Sequence, residues 1–189
     1  AKFRPMVHGE KLAAREALFR EGEPAEFVYT VTSGQLSLSR SLADGRRQII
    51  DFVGPGDFIG LGLSLDRPGN HTLTAEAITE ARVCSVPRNS FRALMATEPA
   101  LTHRALEFAA QRIGRAQEQQ LSLGRKTAAE RVAGFLLTLS DRAVARGASA
   151  TNLSLPMTRA EIADHLGLTL ETVSRAFSRL RQLALIVQD

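Results

Sequence analysis

Near the C-terminal end, the run Leu170-Glu171-Thr172-Val173-Ser174-Arg175 brings a carboxylate, a hydroxyl and a guanidinium within five residues of one another. The chemistry open to this set is hydrogen bonding to the edges of nucleic-acid bases. A guanidinium offers two parallel N–H groups to the paired acceptors of a guanine, a carboxylate accepts from a cytosine amino group, and a serine hydroxyl bonds either way. A solvated helix face would also be polar. A carboxylate close to a phosphate-rich polymer is costly unless it reads a base, however, so Glu171 on the same face as Arg175 argues for sequence reading over nonspecific attraction. Arg179 and Arg181 lie further along and suit phosphates, where they would position the protein without sequence information. The hydroxyls of Thr158, Thr169 and Thr172 are further candidates for the DNA backbone.

Two helices and a tight turn would have to hold these groups. Thr158 followed three residues later by Glu161 is a capping box, so a helix starts there and runs through Ile162, Ala163 and Leu166. Gly167 ends it, and Thr169 is placed to cap the next helix. Ala163 is small where the helices would cross, and Ile162, Leu166, Leu168 and Val173 supply apolar contacts beneath. The second helix then presents Glu171, Thr172, Ser174, Arg175, Ser178 and Arg179 outward. Residues 158–180 thus read as a helix-turn-helix in several independent respects.

Upstream, Leu106, Ala109, Ile113, Ala116, Gln120 and Leu123 recur at alternating spacings of three and four, the seam of a coiled coil. The stripe predicts dimerisation, with packing on the chain's own β domain as the alternative. Gln111, Arg112, Arg115, Gln117 and Glu118 around it favour an exposed helix with one narrow seam. A further helix over about Thr127–Arg146 buries Val132, Phe135, Leu136 and Leu139, and 147–152 is a loop. From Ala17 to Pro87, short alternating segments broken by glycine and proline predict antiparallel β structure, a barrel or roll. Phe27-Tyr29-Val31 and Leu36-Leu38 read as a hairpin through Ser33-Gly34. Asp44-Gly45 reads as a second hairpin turn with Ile49–Val53 returning. After a glycine-punctuated loop, Thr72–Ala77 and Arg82–Val86 read as two more strands.

Of 189 residues, 44% are hydrophobic, enough for a packed core, and the net charge is +4. Residues 124–189 hold nine Lys/Arg against six Asp/Glu, and residues 1–123 hold fifteen against fourteen, so the basic excess sits with the helix-turn-helix. The single cysteine, Cys84, cannot form an internal disulfide, and a lone thiol fits a reducing compartment, here the cytoplasm. No apolar run approaches the roughly 18 residues of a membrane span, and the first twenty residues lack a signal-peptide core. The chain starts without methionine and stops just after an apolar run, a pattern compatible with a fragment of a longer product. His8, His71, His103 and His165 lack metal-ligand spacing, and nothing pairs with Cys84 as in a catalytic thiol, so no enzyme and no metal site is expected.

Nearly end to end, the chain resembles the Crp/Fnr family. The resemblance is carried by Val28-Tyr29-Thr30-Val31-Thr32-Ser33-Gly34, by Asp44-Gly45-Arg46-Arg47-Gln48-Ile49 with Pro55-Gly56-Asp57-Phe58-Ile59-Gly60, and most specifically by Glu171-Thr172-Val173-Ser174-Arg175. It implies an α+β chain: a β-roll sensor-like domain over 1–97 (a jelly roll of the cyclic-nucleotide-binding type), a dimerisation helix over 98–123, and a winged helix-turn-helix over 124–189 whose wing's first strand would be finishing at the chain's end. The recognition-helix motif looks like the Fnr and FixK branches, which implies a TTGAT…ATCAA palindrome bound by a homodimeric regulator, an activator working with RNA polymerase.

The resemblance also bears on the effector. Where the cyclic-AMP receptors carry a ribose-binding glutamate and a phosphate-binding Arg-Ser/Thr pair, this chain has Leu61, His71 and Thr72. Neither contact is replaced, because neutral histidine lacks the bidentate fork of arginine. A FixK-like regulator without a cyclic-nucleotide effector is the expectation. Cys84 matches the β-roll cysteine that helps hold the [4Fe–4S] cluster of Fnr, but each iron needs its own ligand and three more cysteines would have to come from a longer N-terminus. Without them Cys84 reads as a strand core residue, and no cofactor is expected. Two alternatives stand beside this: an oxygen or redox sensor with cofactor ligands in an N-terminal segment, and a ligand-binding β-roll module acting through protein partners. The basic segment from Glu171 to Arg181 argues against the latter.

Overall fold

The computed structural model describes residues 8–42, 44–61 and 69–187. Two compact units make up the chain, Ala1–Arg115 and Ala116–Asp189. Eight strands are formed among the described residues of the first: β1 (His8–Leu12), β2 (Ala17–Phe19), β3 (Phe27–Ser33), β4 (Leu36–Ser41), β5 (Arg47–Val53), β6 (Phe58–Ile59), β7 (Thr74–Ala77) and β8 (Ala81–Pro87). They make two four-stranded antiparallel sheets, ordered β1-β8-β3-β6 and β2-β7-β4-β5. Core residues fall at alternate positions on β3, β4, β7 and β8, and Leu12, Tyr29, Val31, Leu36, Leu38, Val53, Ile59 and Val83 meet between the sheets. Alanines 75, 77 and 81 in the same core leave room for the larger side chains facing them.

The hairpin expected through Ser33-Gly34 is not formed. Strand β3 pairs with β8, and β4 pairs with β5 and β7, so the chain changes sheet at this corner. Alternation and a turn residue mark two strands and a reversal, but they do not name the partner strand. What closes the corner is contact with the β7–β8 connection: Ile78 N donates to Gln35 O at 2.8 Å and Gln35 N to the Thr79 hydroxyl at 3.1 Å. Gly34 (φ +78°) is pressed so tightly here that a Cβ would lie 2.2 Å from the Glu80 carbonyl oxygen. The Asp44-Gly45 turn does join β4 to β5, with Gly45 at φ +84° and Leu42 N bonded to Arg46 O at 2.8 Å. Strand β1, upstream of the expected β region, caps the sheet by pairing with β8. Much of the expected loop before β7 falls on residues 62–68, outside the described residues. Cys84 lies on β8, but alternation with the buried Val83 and Ser85 leaves it half-buried, not in the core.

Helices α1 (Arg88–Thr97) and α2 (Pro99–Arg125) follow directly. Phe91 of α1 and Phe108 of α2 pack edge-on against Phe58, with ring centroids 6.0 and 5.6 Å away, and Val28 completes this second cluster. Such T-shaped pairs add to the area term that each buried aromatic already contributes.

The second unit holds the end of α2 and three more helices, α3 (Ala128–Ala145), α4 (Arg159–Leu166) and α5 (Leu170–Gln182). Their buried faces bring together Val132, Phe135, Ile162, Ala163, Leu166, Val173, Phe177 and Leu180. No strand forms over residues 183–187, where the wing's first strand was expected. A lone segment without a ladder partner among the described residues has nothing to hold it extended. Residues 188–189 lie outside the described residues.

Candidate nucleic-acid interface

Local sequence accounts for how α4 and α5 are set. The Thr158 hydroxyl accepts from Glu161 N at 3.2 Å, and the Glu161 carboxylate accepts from Thr158 N at 2.7 Å, so the capping box is closed in both directions. Gly167, at φ +62° and ψ 42°, ends α4 in the left-handed conformation, and Leu168 N returns to Ala163 O at 3.0 Å. Thr169 then caps α5 by accepting from Thr172 N at 3.2 Å. At the other end of α5, Ala184 adopts φ +55° while Leu185 N bonds Leu180 O, the Schellman pattern with alanine in the usual glycine place.

With Val173, Ala176, Phe177 and Leu180 buried, α5 turns Glu171, Ser174, Arg175, Arg179 and Arg181 to solvent. The three predicted base readers therefore share one exposed face. Hydrogen bonds from its own backbone N–H and from the Thr169 hydroxyl, with the Arg175 guanidinium nearby, hold the Glu171 carboxyl below its ordinary range. It is a carboxylate at neutral pH, an acceptor only. Arg175 reaches Thr172 Oγ1 at 3.5 Å and otherwise points outward. The Thr158, Thr169 and Thr172 hydroxyls are engaged in caps, Thr169 with Thr172 at 3.0 Å. Any phosphate would share them with the helix starts. Arg159, on α4, stacks its guanidinium 3.2 Å from the Phe177 ring centroid, a cation–π contact that sequence reasoning missed.

Helix α2 carries two stripes. Ala105 and Phe108 are buried, while all six seam residues are exposed, Leu106 at 64%, Ile113 at 60% and Leu123 at 45%. Packing on the roll uses Ala105 and Phe108, while Ala109 and Ile113 of the predicted seam, though exposed, also line the edge of the cavity in the roll. Arg112 and Arg115 are not part of an exposed surround. Both are half-buried and face the buried Asp51 carboxylate on β5, at 3.9 and 3.7 Å. They follow Phe108 by one and two helical turns on the roll-facing side, a signal masked by reading the helix around its other stripe.

Leu61, His71 and Thr72 are brought together around one cavity of about 280 Å³, lined also by Phe19, Phe108 and Arg112. His71 is 5% exposed and stacks on Phe19 with ring centroids 3.5 Å apart. Burial and the Arg88 guanidinium lower its pKa, only partly opposed by Glu23, so it lines the cavity as neutral imidazole. Arg88 is itself buried and donates to the Gly60 carbonyl at 3.0 Å. No helix among the described residues is long and apolar enough to cross a membrane, and no cluster of His, Cys, Asp and Glu there could hold a metal ion.

Comparison with known proteins agrees with this layout. Residues 10–98 match the cyclic nucleotide-binding domain and residues 130–189 the Crp-like helix-turn-helix domain. The transcriptional activatory protein AadR of Rhodopseudomonas palustris is 41% identical over 98% of this chain and 76% of its own length. The nitrogen fixation regulation protein FixK of Bradyrhizobium diazoefficiens is 40% identical over 88% of this chain and 69% of its own. The structure of FixK2 from Bradyrhizobium japonicum superposes with a TM-score of 0.82 at 40% identity, covering 94% of this chain and 86% of that one. These are regulators and not enzymes, and with such coverage the chain belongs to the Crp/Fnr family of transcription regulators, on its FixK side.

Proposed function

We propose that the protein is a homodimeric transcription activator of the FixK kind that binds a TTGAT…ATCAA palindrome and acts with RNA polymerase in the cytoplasm. The observation that carries this reading is the face of α5, where Glu171, Ser174 and Arg175 are exposed together while every large apolar residue of that helix beyond Leu170 is buried. Glu171, Ser174 and Arg175 read base edges, and Arg179 and Arg181 contact phosphates with the Thr158, Thr169 and Thr172 region. Dimerisation uses Leu106, Ala109, Ile113, Ala116, Gln120 and Leu123, supported by their joint exposure on a helix whose other stripe is buried. The sense of regulation is supported by the relatives, several of which carry the name of activators.

The reading includes independence from cyclic AMP. The cavity offers Leu61 in place of a ribose acceptor and a neutral His71 in place of a phosphate-binding cation, while Arg112 is committed to Asp51. Calorimetric titration with cyclic AMP therefore gives no saturable heat, and micromolar binding would overturn this part. Cys84 is the single cysteine of the sequence, so a [4Fe–4S] cluster would need further cysteine ligands from a longer N-terminus.

Paired substitutions test the DNA assignment. Arg175→Ala costs on the order of 1–3 kcal/mol per contact and flattens preference at one base pair of each half-site. Arg181→Ala weakens all sequences alike and lowers the salt slope by about one for each half-site, because a phosphate contact releases counterions without reading bases. Affinities for the palindrome and its single-base variants at several salt concentrations separate the two, and equal losses on every sequence would defeat the base-reading assignment.

A further inference from the structure

Away from the DNA-reading face, the last turns of α2 are tied to the C-terminal end of α4. Gln119 Nε2 donates to the His165 carbonyl at 3.1 Å. Arg131, in the first turns of α3, spreads one guanidinium over three carbonyls: Nε to Lys126 at 3.1 Å, one terminal nitrogen to Leu123 at 2.7 Å and the other to Leu166 at 3.4 Å. Gly167 closes the same junction, since a Cβ there would lie 3.2 Å from Leu123 Cδ2. Leu123 and Leu166 belong to the last turns of α2 and α4, where carbonyls lack intrahelical donors and the helix dipole favours a cation. A planar fork with five donors reaches both ends from separate nitrogens in a fixed geometry, whereas an ammonium offers its three donors from a single point.

We propose that Arg131 and Gln119 form a latch that sets the half-site spacing the dimer accepts. The proposal rests on the dimeric, base-reading function above. The seam residues Ala116, Gln120 and Leu123 lie on the same turns of α2 as Gln119, so in a dimer the partner helix fixes the segment to which α4 is latched. Helix α5 follows α4 through the three residues Gly167, Leu168 and Thr169, so its distance from its symmetry mate is set through the latch. One inserted base pair moves a half-site by about 3.4 Å and turns it by about 35°. A latched pair of recognition helices cannot follow that displacement, and an unlatched pair can.

The test uses full-length protein as wild type, Arg131→Ala, Arg131→Lys and Gln119→Ala, titrated on palindromes whose half-sites are brought together or separated by one and two base pairs. For the wild type, one inserted pair lowers affinity on the order of tenfold, comparable to a mismatched base. Arg131→Ala reduces that penalty to within about threefold, Arg131→Lys falls between, and Gln119→Ala moves the same way by less. Base preference within each half-site and the dimer's sedimentation stay unchanged, which a merely structural loss would not allow. A spacing penalty unchanged in Arg131→Ala and Gln119→Ala, or an affinity lost equally at every spacing, overturns the latch. If Arg131→Ala fails to fold, Gln119→Ala, which removes one hydrogen bond from α2, decides alone. A wild type that shows no base preference or sediments as a monomer brings down the underlying reading and the latch with it, whereas intact base preference with an unaltered spacing profile fails the latch only.

Discussion

In the β-roll, the polar side chains of greatest consequence are turned inward: Arg88 donates to Gly60, Asp51 faces Arg112 and Arg115, and His71 stacks beneath the cavity beside Phe19. On α5 the corresponding groups are turned outward, and Glu171, Ser174 and Arg175 sit at the surface with their backbone held by caps. Each arrangement follows from how its unit is stabilised. Two facing sheets and an aromatic cluster bury enough apolar area to enclose polar groups, provided those groups find partners inside. Three short helices enclose less, so capping boxes and a left-handed glycine fix their ends, and the polar face of α5 is left to meet a ligand. The contrast teaches where binding specificity is available. A polyanion meets uncommitted hydrogen-bonding groups on α5, whereas a small charged molecule entering the roll meets apolar walls and an arginine already paired.

The largest expected effect tests the surface that joins two copies. Ile113→Asp places a carboxylate from each protomer in an apolar seam, at roughly 3–5 kcal/mol for each uncompensated buried charge, so the protein sediments as a monomer and loses palindrome affinity while each unit stays folded. A variant that still ran as a dimer would move the seam elsewhere. Next in size, Phe58→Ala removes the ring that Phe91 and Phe108 meet edge-on and destabilises the roll by about 3–5 kcal/mol in denaturant unfolding. Under folding conditions the base preference of the variant matches wild type. A change of preference would mean that the recognition face depends on roll packing, against the contrast drawn above.

Much of the recognition unit was legible in the sequence because its determinants are local. Thr158 with Glu161, Gly167 and Thr169 act within four residues of themselves, so reading them in order predicts both helices and the turn. The roll was legible as strands but not as sheets. Its partner choices join residues far apart in the chain, and Gly34 marks a corner only because the Glu80 carbonyl closes on it. Arg112, Arg115 and Arg131 escaped for the same reason. Each looks like a surface cation on an amphipathic helix until Asp51 or a set of carbonyls from other elements is placed before it. The spacing of Arg112 and Arg115 from Phe108 marks their side of the helix, but it does not name the distant carboxylate that commits them.

The smallest effect, and the finest test of the inward–outward contrast, is the pH response of the roll. Burial first, and then the charge of Arg88, lower the His71 pKa below its ordinary 6.5, with Glu23 opposing. In the unfolded chain the imidazole takes up a proton as pH falls through about 6.5, while in the folded roll it resists until the lowered value is reached. Between those two values the unfolded state binds more protons, so stability rises with pH in this window and is fully present above it. Acidification from pH 7 therefore destabilises the wild type through His71. His71→Phe keeps a ring for Phe19 to stack on and removes the titrating group, so the stability difference between the two proteins is constant above about pH 6.5 and shifts in favour of the variant below it. The shift levels off once pH passes under the lowered value, where the folded imidazole is protonated as well. Denaturant unfolding of both proteins across pH 5–8 reads this difference directly, with other titrating groups common to both. Parallel curves would mean that the imidazole is solvated in both states, and the cavity would then hold a titratable group open to anionic ligands, contrary to its apolar character.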